Sequence, residues 1–169
     1  MKTTALALVV LTVGLVHAQQ TRTKESPAEH HTAVTDRGDQ AMGFSHEKTT
    51  HHFRLYKDGG AIEVTANDPK DIENRNMIRM HLSHIAQMFA QGNFNTPMFI
   101  HDTTPPGVPT MTKLHDQIDY QVQETESGAK VRIRTANAQA LDAIHAFLLF
   151  QITDHQTGDS PDISQGPSR

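Results

Sequence analysis

The tripeptide Thr-Ala-Asn occurs twice, at residues 65–67 and 135–137, and both copies stand between an alternating segment and a long amphipathic one. Alternation of apolar and polar residues predicts a strand, and an apolar period near 3.6 predicts a helix. Asparagine at such a junction is a favoured helix N-cap. The pattern therefore predicts two strand–strand–helix units, 49–92 and 117–155, related as an internal repeat. Chance similarity between two amphipathic units is the alternative.

Both units begin with two alternating segments around a glycine-containing turn, which predicts a β-hairpin. A long helix follows each hairpin, from about Pro69 to Gln91 and from Ala138 to His155. The simplest layered form of these elements is an α+β fold with one four-stranded antiparallel sheet and two long helices on a single face. The predicted strands are Thr49–Tyr56, Ala61–Ala66, Ile118–Glu124 and Lys130–Thr135.

The segments outside the two units have a different composition. Residues 93–109 form a proline-rich loop, and a short helix is predicted at 110–116. Residues 19–48 hold few large apolar side chains, and 156–169 is rich in Gly, Pro, Ser and Asp, which predicts a mobile leader and a disordered tail. The ordered part is then a single domain over 49–155.

The first eighteen residues have the features of an export signal. Lys2 gives a basic start, residues 5–16 are almost entirely apolar, and Val16-His17-Ala18 matches a signal-peptidase site. The apolar run is too short for a stable transmembrane helix. We therefore expect cleavage after Ala18, export to the periplasm or the extracellular space, and no membrane span after cleavage.

The amino-acid composition excludes several classes of functional site. The chain has no cysteine, which excludes disulfides, thiolate metal sites and cysteine nucleophiles. A net charge of −4 without a basic cluster argues against nucleic acid as a partner. The chain has 12 histidines and 7 methionines, against 15 lysines and arginines together. Imidazole and thioether are the groups that such a chain can offer to soft metals, copper above all.

The first long helix carries two neighbouring stripes. One is apolar and is the expected core face. The second has the spacing i, i+4, i+7 and i+11, so neighbouring members lie about one turn apart. Two imidazoles and two thioethers on one helix face suit copper, although ordinary packing of methionine and hydrogen-bonded histidine is the alternative. The members of the second stripe are Met77, His81, His84 and Met88.

The last helix has a histidine in the middle of its apolar face. His145 aligns with His81 in the repeat, so the two rings could share a metal or a small ligand, or form a hydrogen-bonded core pair. This helix is apolar on nearly all sides, so we expect other parts of the protein to bury it deeply. A second subunit could contribute, which would make a homodimer through this helix.

Further histidines stand beside carboxylates or beside each other. His101 precedes Asp102 in the central loop, Asp154 precedes His155, and His52 follows His51 on a predicted strand, where neighbours point to opposite faces. The pair His101 and Asp102 suggests a hydrolase or lyase as one alternative. No glycine-rich phosphate loop, nucleophile elbow or zinc-protease motif is present, so catalysis has little support.

Three segments resemble a known group of proteins: Thr49–Leu55, Thr103–Gly107 and Phe150–Asp159. The resemblance covers roughly residues 38–159 and is to a family of small exported bacterial proteins of uncharacterised function. Some members carry an aspartate carbamoyltransferase label. This chain has about half the size of that enzyme and lacks its Ser-Thr-Arg-Thr phosphate loop, so the label is not expected to apply. The resemblance implies export and no particular mechanism.

The sequence thus predicts an exported, non-catalytic protein that binds a small ligand or a metal ion, with copper favoured. The α-helical stripe of Met77, His81, His84 and Met88 supplies the candidate ligands. One alternative is an interaction or dimerisation module of the cell envelope, and another is the hydrolase or lyase above. Further residues that could line the site are His145, His101, Asp102 and His52.

Overall fold

A computed structural model describes residues 26–166 and shows an α+β fold in which helices pack on an antiparallel sheet. The predicted fold class is confirmed. The predicted signal peptide and its cleavage site lie outside the described residues. No helix within 26–166 is long and apolar enough to span a membrane. The elements are α1 Pro27–Met42, β1 Thr49–Tyr56, β2 Gly59–Ala66, α2 Ile72–Ala90, α3 Asn95–His101, α4 Val108–Lys113, β3 Ile118–Glu124, β4 Gly128–Thr135 and α5 Ala138–Asp154.

The four strands lie in the order β1-β2-β4-β3, and all neighbours are antiparallel. Each hairpin contributes an outer and an inner strand, and the inner strands pair in the middle, where Ile62 lies opposite Val131. This is the arrangement expected when two related hairpins meet across a twofold axis. It agrees with the predicted pair of strand–strand–helix units.

The core lies between the sheet and the two long helices. Alternate residues of each strand, such as Phe53 and Val64, point toward α2 and α5. The helices meet each other over this face, where the rings of Phe89 and Phe147 make an edge-to-face contact at 5.9 Å. The predicted apolar stripe of α2 is buried as expected: Ile78, Leu82, Ile85 and Phe89.

The two repeated asparagines act differently. Asn137 caps α5, since its side chain accepts a hydrogen bond from the backbone N–H of Ala140 at 3.1 Å. Asn67 does not cap α2; its side chain joins Thr50 and the backbone carbonyl of Glu47 instead. Asp71 is the N-cap of α2, because the extra residues after Asn67 delay the start of that helix.

The structure differs from the prediction of a mobile leader at 19–48, because residues 27–42 form α1. This helix has strong local signals at its start: Ser26 and Glu29 form a capping box, and Pro27 occupies the first turn. Only Val34 and Gly38 of α1 are buried, so its apolar stripe is short. The helix is held against α3, where Arg37 donates to the backbone carbonyl of Ile100 at 2.6 Å.

The proline-rich segment 93–109 also differs from the prediction of a loop. Residues 95–101 form α3, with Pro97 in the first turn, where a missing N–H costs no helical hydrogen bond. Gly107 then allows the chain to touch α5. A side chain on it would lie 2.0 Å from the carbonyl oxygen of Ala143, and its φ of 84° favours glycine.

The predicted disordered tail, 156–169, is the third difference, since its described part follows the outer edge of β1. Ser164 pairs with Tyr56, and its N–H donates to the carbonyl of Leu55 at 3.0 Å. Asp159 is buried and accepts from the N–H of Phe53 at 2.9 Å and from the ring of His52 at 2.9 Å. The tail therefore protects an edge strand that would otherwise be open to pairing with other chains.

We predict that Asp159→Ala lowers the free energy of unfolding by about 1–3 kcal/mol, because it leaves the N–H of Phe53 and the ring of His52 without their acceptor. Urea unfolding measures the change. Asp162→Ala is the matched control, since Asp162 is exposed and bonds only to Ser160 nearby. Equal midpoints for the two variants would contradict a stabilising role for the tail.

Candidate functional site

A cavity of about 240 Å³ lies between α1 and the body of the domain. Helix α1 forms one wall, and the opposite walls come from β1, from the end of α3 and from the residues that follow α5. Helix α1 makes few direct contacts with β1, so space remains beneath it. The main lining residues are His31, Val34, Thr35, Met42, His51, Ile100 and His155.

A smaller cavity of about 70 Å³ continues toward the core. It shares Met42, His51, Ile100 and His155 with the first cavity, so the two adjoin. His81 of α2 lines its inner side. We refer to the two spaces together as the histidine cavity, and to His31, His51, His81 and His155 as the cavity histidines. A fifth histidine, His46, also lines the larger space, and its ring is hydrogen-bonded to Asp39.

The cavity histidines contact each other and nearby aromatic rings. The ring centres of His51 and His155 are 6.4 Å apart, and their planes differ by 6°. His155 also contacts Phe53 at 5.7 Å, and Phe44 lies 5.7 Å from His81. The rings are therefore positioned by apolar neighbours rather than by polar partners.

The nitrogens of these rings are open. Among residues 26–166, no hydrogen bond joins the ring of His51, His81 or His155 to another residue, and the buried Nδ1 of His31 has no partner. Buried polar groups in proteins are almost always hydrogen-bonded, and a missing bond costs about 1–3 kcal/mol. This cost applies to Nδ1 of His31, whereas the nitrogens of the other three rings are not buried without a partner. Those rings therefore have nitrogens that a ligand in the cavity can reach.

The surroundings keep these rings uncharged. Burial, with the neighbouring His81 and His52, lowers the pKa of His51 to about 4. Burial and His84 lower the pKa of His81 to about 4. Burial, with His101 and His51, lowers the pKa of His155 to about 3. The three rings are therefore neutral near pH 7, and each offers a nitrogen lone pair to a ligand.

A second polar group lies next to the cavity. Asp154 accepts two hydrogen bonds from histidine rings. Nδ1 of His101 lies 2.5 Å from its Oδ2, and Nε2 of His30 lies 2.8 Å from its Oδ1. Burial raises the pKa of Asp154, but the hydrogen bonds from His30 and His101 outweigh it and hold that pKa below its ordinary value. This carboxylate joins α1 and α3 to the end of α5.

His101 has both ring nitrogens engaged. Its Nε2 lies 3.0 Å from Oε1 of Gln151, whose Nε2 is buried without a partner. Turning this amide by 180° would let Gln151 donate to a neutral His101 and satisfy both groups. The ring is thus a buried structural link and has no free nitrogen for acid–base chemistry.

The structure separates the predicted α2 stripe. His81 faces the histidine cavity and His84 is exposed, while the sulfur of Met88 accepts a hydrogen bond from Thr96 at 3.8 Å. Met77 is half-buried against the core. On a straight helix, positions i and i+11 lie about 16 Å apart, too far for one ion to contact both. In the described conformation of residues 26–166, no three His, Asp or Glu side chains form a ready metal site.

The other predicted site residues lie in three different places. His145 does not meet His81; its Nε2 donates to the carbonyls of Tyr56 and Gly59 at 2.9 and 3.1 Å and holds the β1–β2 turn. His52 faces the opposite side of the sheet, beside Asp159. Asp102 is exposed and ends α3 with a φ of 50°.

Sequence reasoning missed His31 and Met42, and did not place His51 and His155 together. The capping signals at Ser26, Pro27 and Glu29 could have identified α1 and with it the cover of the cavity. No local pattern places His155 against β1, because that contact depends on how α5 crosses the sheet.

Comparison of the chain with family models, with curated proteins and with solved structures found no match. The resemblance to small exported bacterial proteins stays a prediction.

Acid should weaken the fold through three of the cavity histidines, His51, His81 and His155. In the unfolded chain they bind protons near the ordinary pKa of 6.5, but in the folded chain only near pH 4 or 3. Below pH 6.5 the unfolded state binds more protons, so the free energy of unfolding falls as the pH drops from 6.5 toward 4. We expect a loss of about 2 kcal/mol or more between pH 6.5 and 4.5, since one pKa unit corresponds to about 1.4 kcal/mol.

Urea unfolding at several pH values measures this loss. His155→Phe removes one of the groups and should make the decline clearly shallower. His84→Phe, at an exposed position, should change it only slightly, because His84 lowers the pKa of His81 less than burial does. A stability that is flat from pH 6.5 to 4.5 would contradict the neutral, buried state of these rings.

Proposed function

We propose that the chain is a non-catalytic binding protein that holds a small ligand in the histidine cavity beneath α1. One observation carries this proposal: the rings of His51 and His155, which no hydrogen bond joins to another described residue, line a single cavity of about 240 Å³ together with His31. A protein that needed these side chains only for packing could use apolar rings at the same positions, which need no hydrogen-bond partner.

The size of the cavity limits the ligand. Pockets for drug-sized molecules have volumes of about 300–1,000 Å³, and an apolar cavity of about 150 Å³ holds benzene. A volume of about 240 Å³ therefore suits a single-ring molecule or a metal ion. Larger molecules would have to displace α1.

The charge of the cavity walls further limits the kind of ligand that can bind. None of the described residues that line the larger cavity is Asp, Glu, Lys or Arg. Asp154 is near but is occupied by His30 and His101. The ligand is therefore recognised by hydrogen bonds to imidazole, or by coordination to its nitrogens, and not by an ion pair.

The alternative roles have less support. A hydrolase using His101 and Asp102 needs a ring with a free nitrogen, whereas His101 is bonded on both sides and Asp102 is exposed. Dimerisation through α5 was suggested by its apolar surface. Within one chain this helix packs against the sheet and α4, which removes the main reason for that suggestion. The proposed binding protein is exported if the predicted signal peptide is cleaved.

The proposal predicts that a small probe enters the cavity and that a bulky side chain on α1 excludes it. Nuclear magnetic resonance of the ¹⁵N-labelled full chain would follow titrations with phenol, benzoate, benzylamine and Cu(I). At least one probe should give saturable shifts at the amides of Thr49, His51 and Thr157, which line the larger cavity.

Thr35→Phe fills the space from α1 and should abolish these shifts. Thr32→Phe is the matched control, because Thr32 lies on the same helix and is exposed. If no probe shifts these amides, or if Thr35→Phe leaves the shifts unchanged, the proposed function is wrong.

A further inference from the structure

Three side chains with metal-binding atoms lie where the two parts of the histidine cavity join. His51, His155 and Met42 each line both the larger and the smaller space. They come from β1, from the residue after α5 and from the last turn of α1, so three separate segments converge there. His31 lies on the outer side of this junction and His81 on the inner side.

We infer that this junction binds a copper ion through ring nitrogens of His51 and His155 and the sulfur of Met42. The inference rests on the proposed function and specifies the ligand of that cavity. It places copper away from the α2 stripe, of which only His81 lines the described part of the cavity.

The donor set favours copper over other metals. Imidazole binds copper, zinc, iron and nickel, whereas a thioether selects the softer Cu(I). Magnesium and calcium need oxygen ligands, and no carboxylate is present among the described residues that line either part of the cavity. In a chain without cysteine, Met42 is the softest donor within reach of these two rings.

The spacing of the rings fits an ion between them. A metal ion about 2 Å from a nitrogen of each imidazole places the two ring centres roughly 6 Å apart. The centres of His51 and His155 are 6.4 Å apart. The two ring planes are nearly parallel, with an angle of 6° between them, so both rings would turn about their side-chain bonds to point a nitrogen at a shared ion. The unpartnered Nδ1 of His31 offers a further donor on the outer side.

A packing role and a metal-binding role make different demands on these rings. His51 and His155 lie against Phe44 and Phe53, so phenylalanine at either position keeps an aromatic ring in the same apolar setting. Such a change removes the nitrogens alone. If the rings serve only to fill space, the substitution has little effect on copper affinity. If they bind copper, the substitution removes a ligand and lowers that affinity.

Copper affinity of the full chain tests the inference. Cu(I) is titrated in competition with a chromophoric chelator, and Cu(II) is followed by its electron paramagnetic resonance spectrum. His51→Phe and His155→Phe should each weaken Cu(I) binding by about tenfold or more, since each removes a direct ligand. Met42→Leu should weaken Cu(I) binding more than Cu(II) binding, because the thioether is a soft donor.

The matched controls come from the α2 stripe. His84→Phe and Met88→Leu make the same chemical changes outside the junction and should leave both affinities within about twofold of the unmodified chain. Unchanged Cu(I) affinity in both His51→Phe and His155→Phe would overturn the inference. Loss of affinity only in His84→Phe and Met88→Leu would also overturn it and would move the ion to the helix stripe.

A measurement on the unmodified chain tests the inference even if the variants fail to fold. Bound Cu(II) broadens the resonances of nearby amides, so those around residue 51 and residue 155 should vanish before those at 84–88. The reverse order would overturn the inference. If copper does not bind but an organic probe enters the cavity and Thr35→Phe excludes it, the copper site is wrong and the proposed function stands; if no probe enters, both are wrong.

Discussion

The double hydrogen bond of the Asp154 carboxylate holds the site together. One oxygen binds the ring of His101 at the end of α3, and the other binds the ring of His30 at the start of α1. With the bond from Arg37 to Ile100, these contacts hold a largely polar helix over β1. The cavity depends on them, because α1 buries too little apolar surface to stay there through the hydrophobic effect alone.

Two groups of histidines lie side by side and behave in opposite ways. His30 and His101 donate hydrogen bonds to the Asp154 carboxylate and serve as links between helices. His51, His81 and His155 have no such partner and are kept neutral by burial and by one another. A fold tolerates unsatisfied groups of this kind when the rest of its core is well packed, and they are typical of functional positions. The contrast points to the second group as the binding residues.

The sequence was sufficient for elements that depend on local patterns. Alternation placed β1 and β3 at their observed bounds, and Asn137 marked the start of α5. The elements that the sequence did not predict depend on contacts between distant residues. Asp154 holds α1 in place. The tail is held by the hydrogen bond between Asp159 and the N–H of Phe53, which are 106 positions apart. The site was missed for the same reason, since His51 and His155 meet only after α5 has packed across the sheet. The stripe on α2 reflected the margin of the core more than a shared site.

The occupation of Asp154 also bears on the proposed preference of the cavity for a soft ligand. This carboxylate raises the pKa of His155, but burial and the neighbouring His101 and His51 outweigh it, so the ring stays neutral. If Asp154 were free to turn toward the cavity, the site would carry a negative charge and would attract protons and hard cations as well. Because His30 and His101 hold both of its oxygens, the described walls of the larger space present imidazole, thioether, hydroxyl and apolar groups and no charged side chain. The same two hydrogen bonds that fix α1 in place therefore also set the chemistry of the space beneath it.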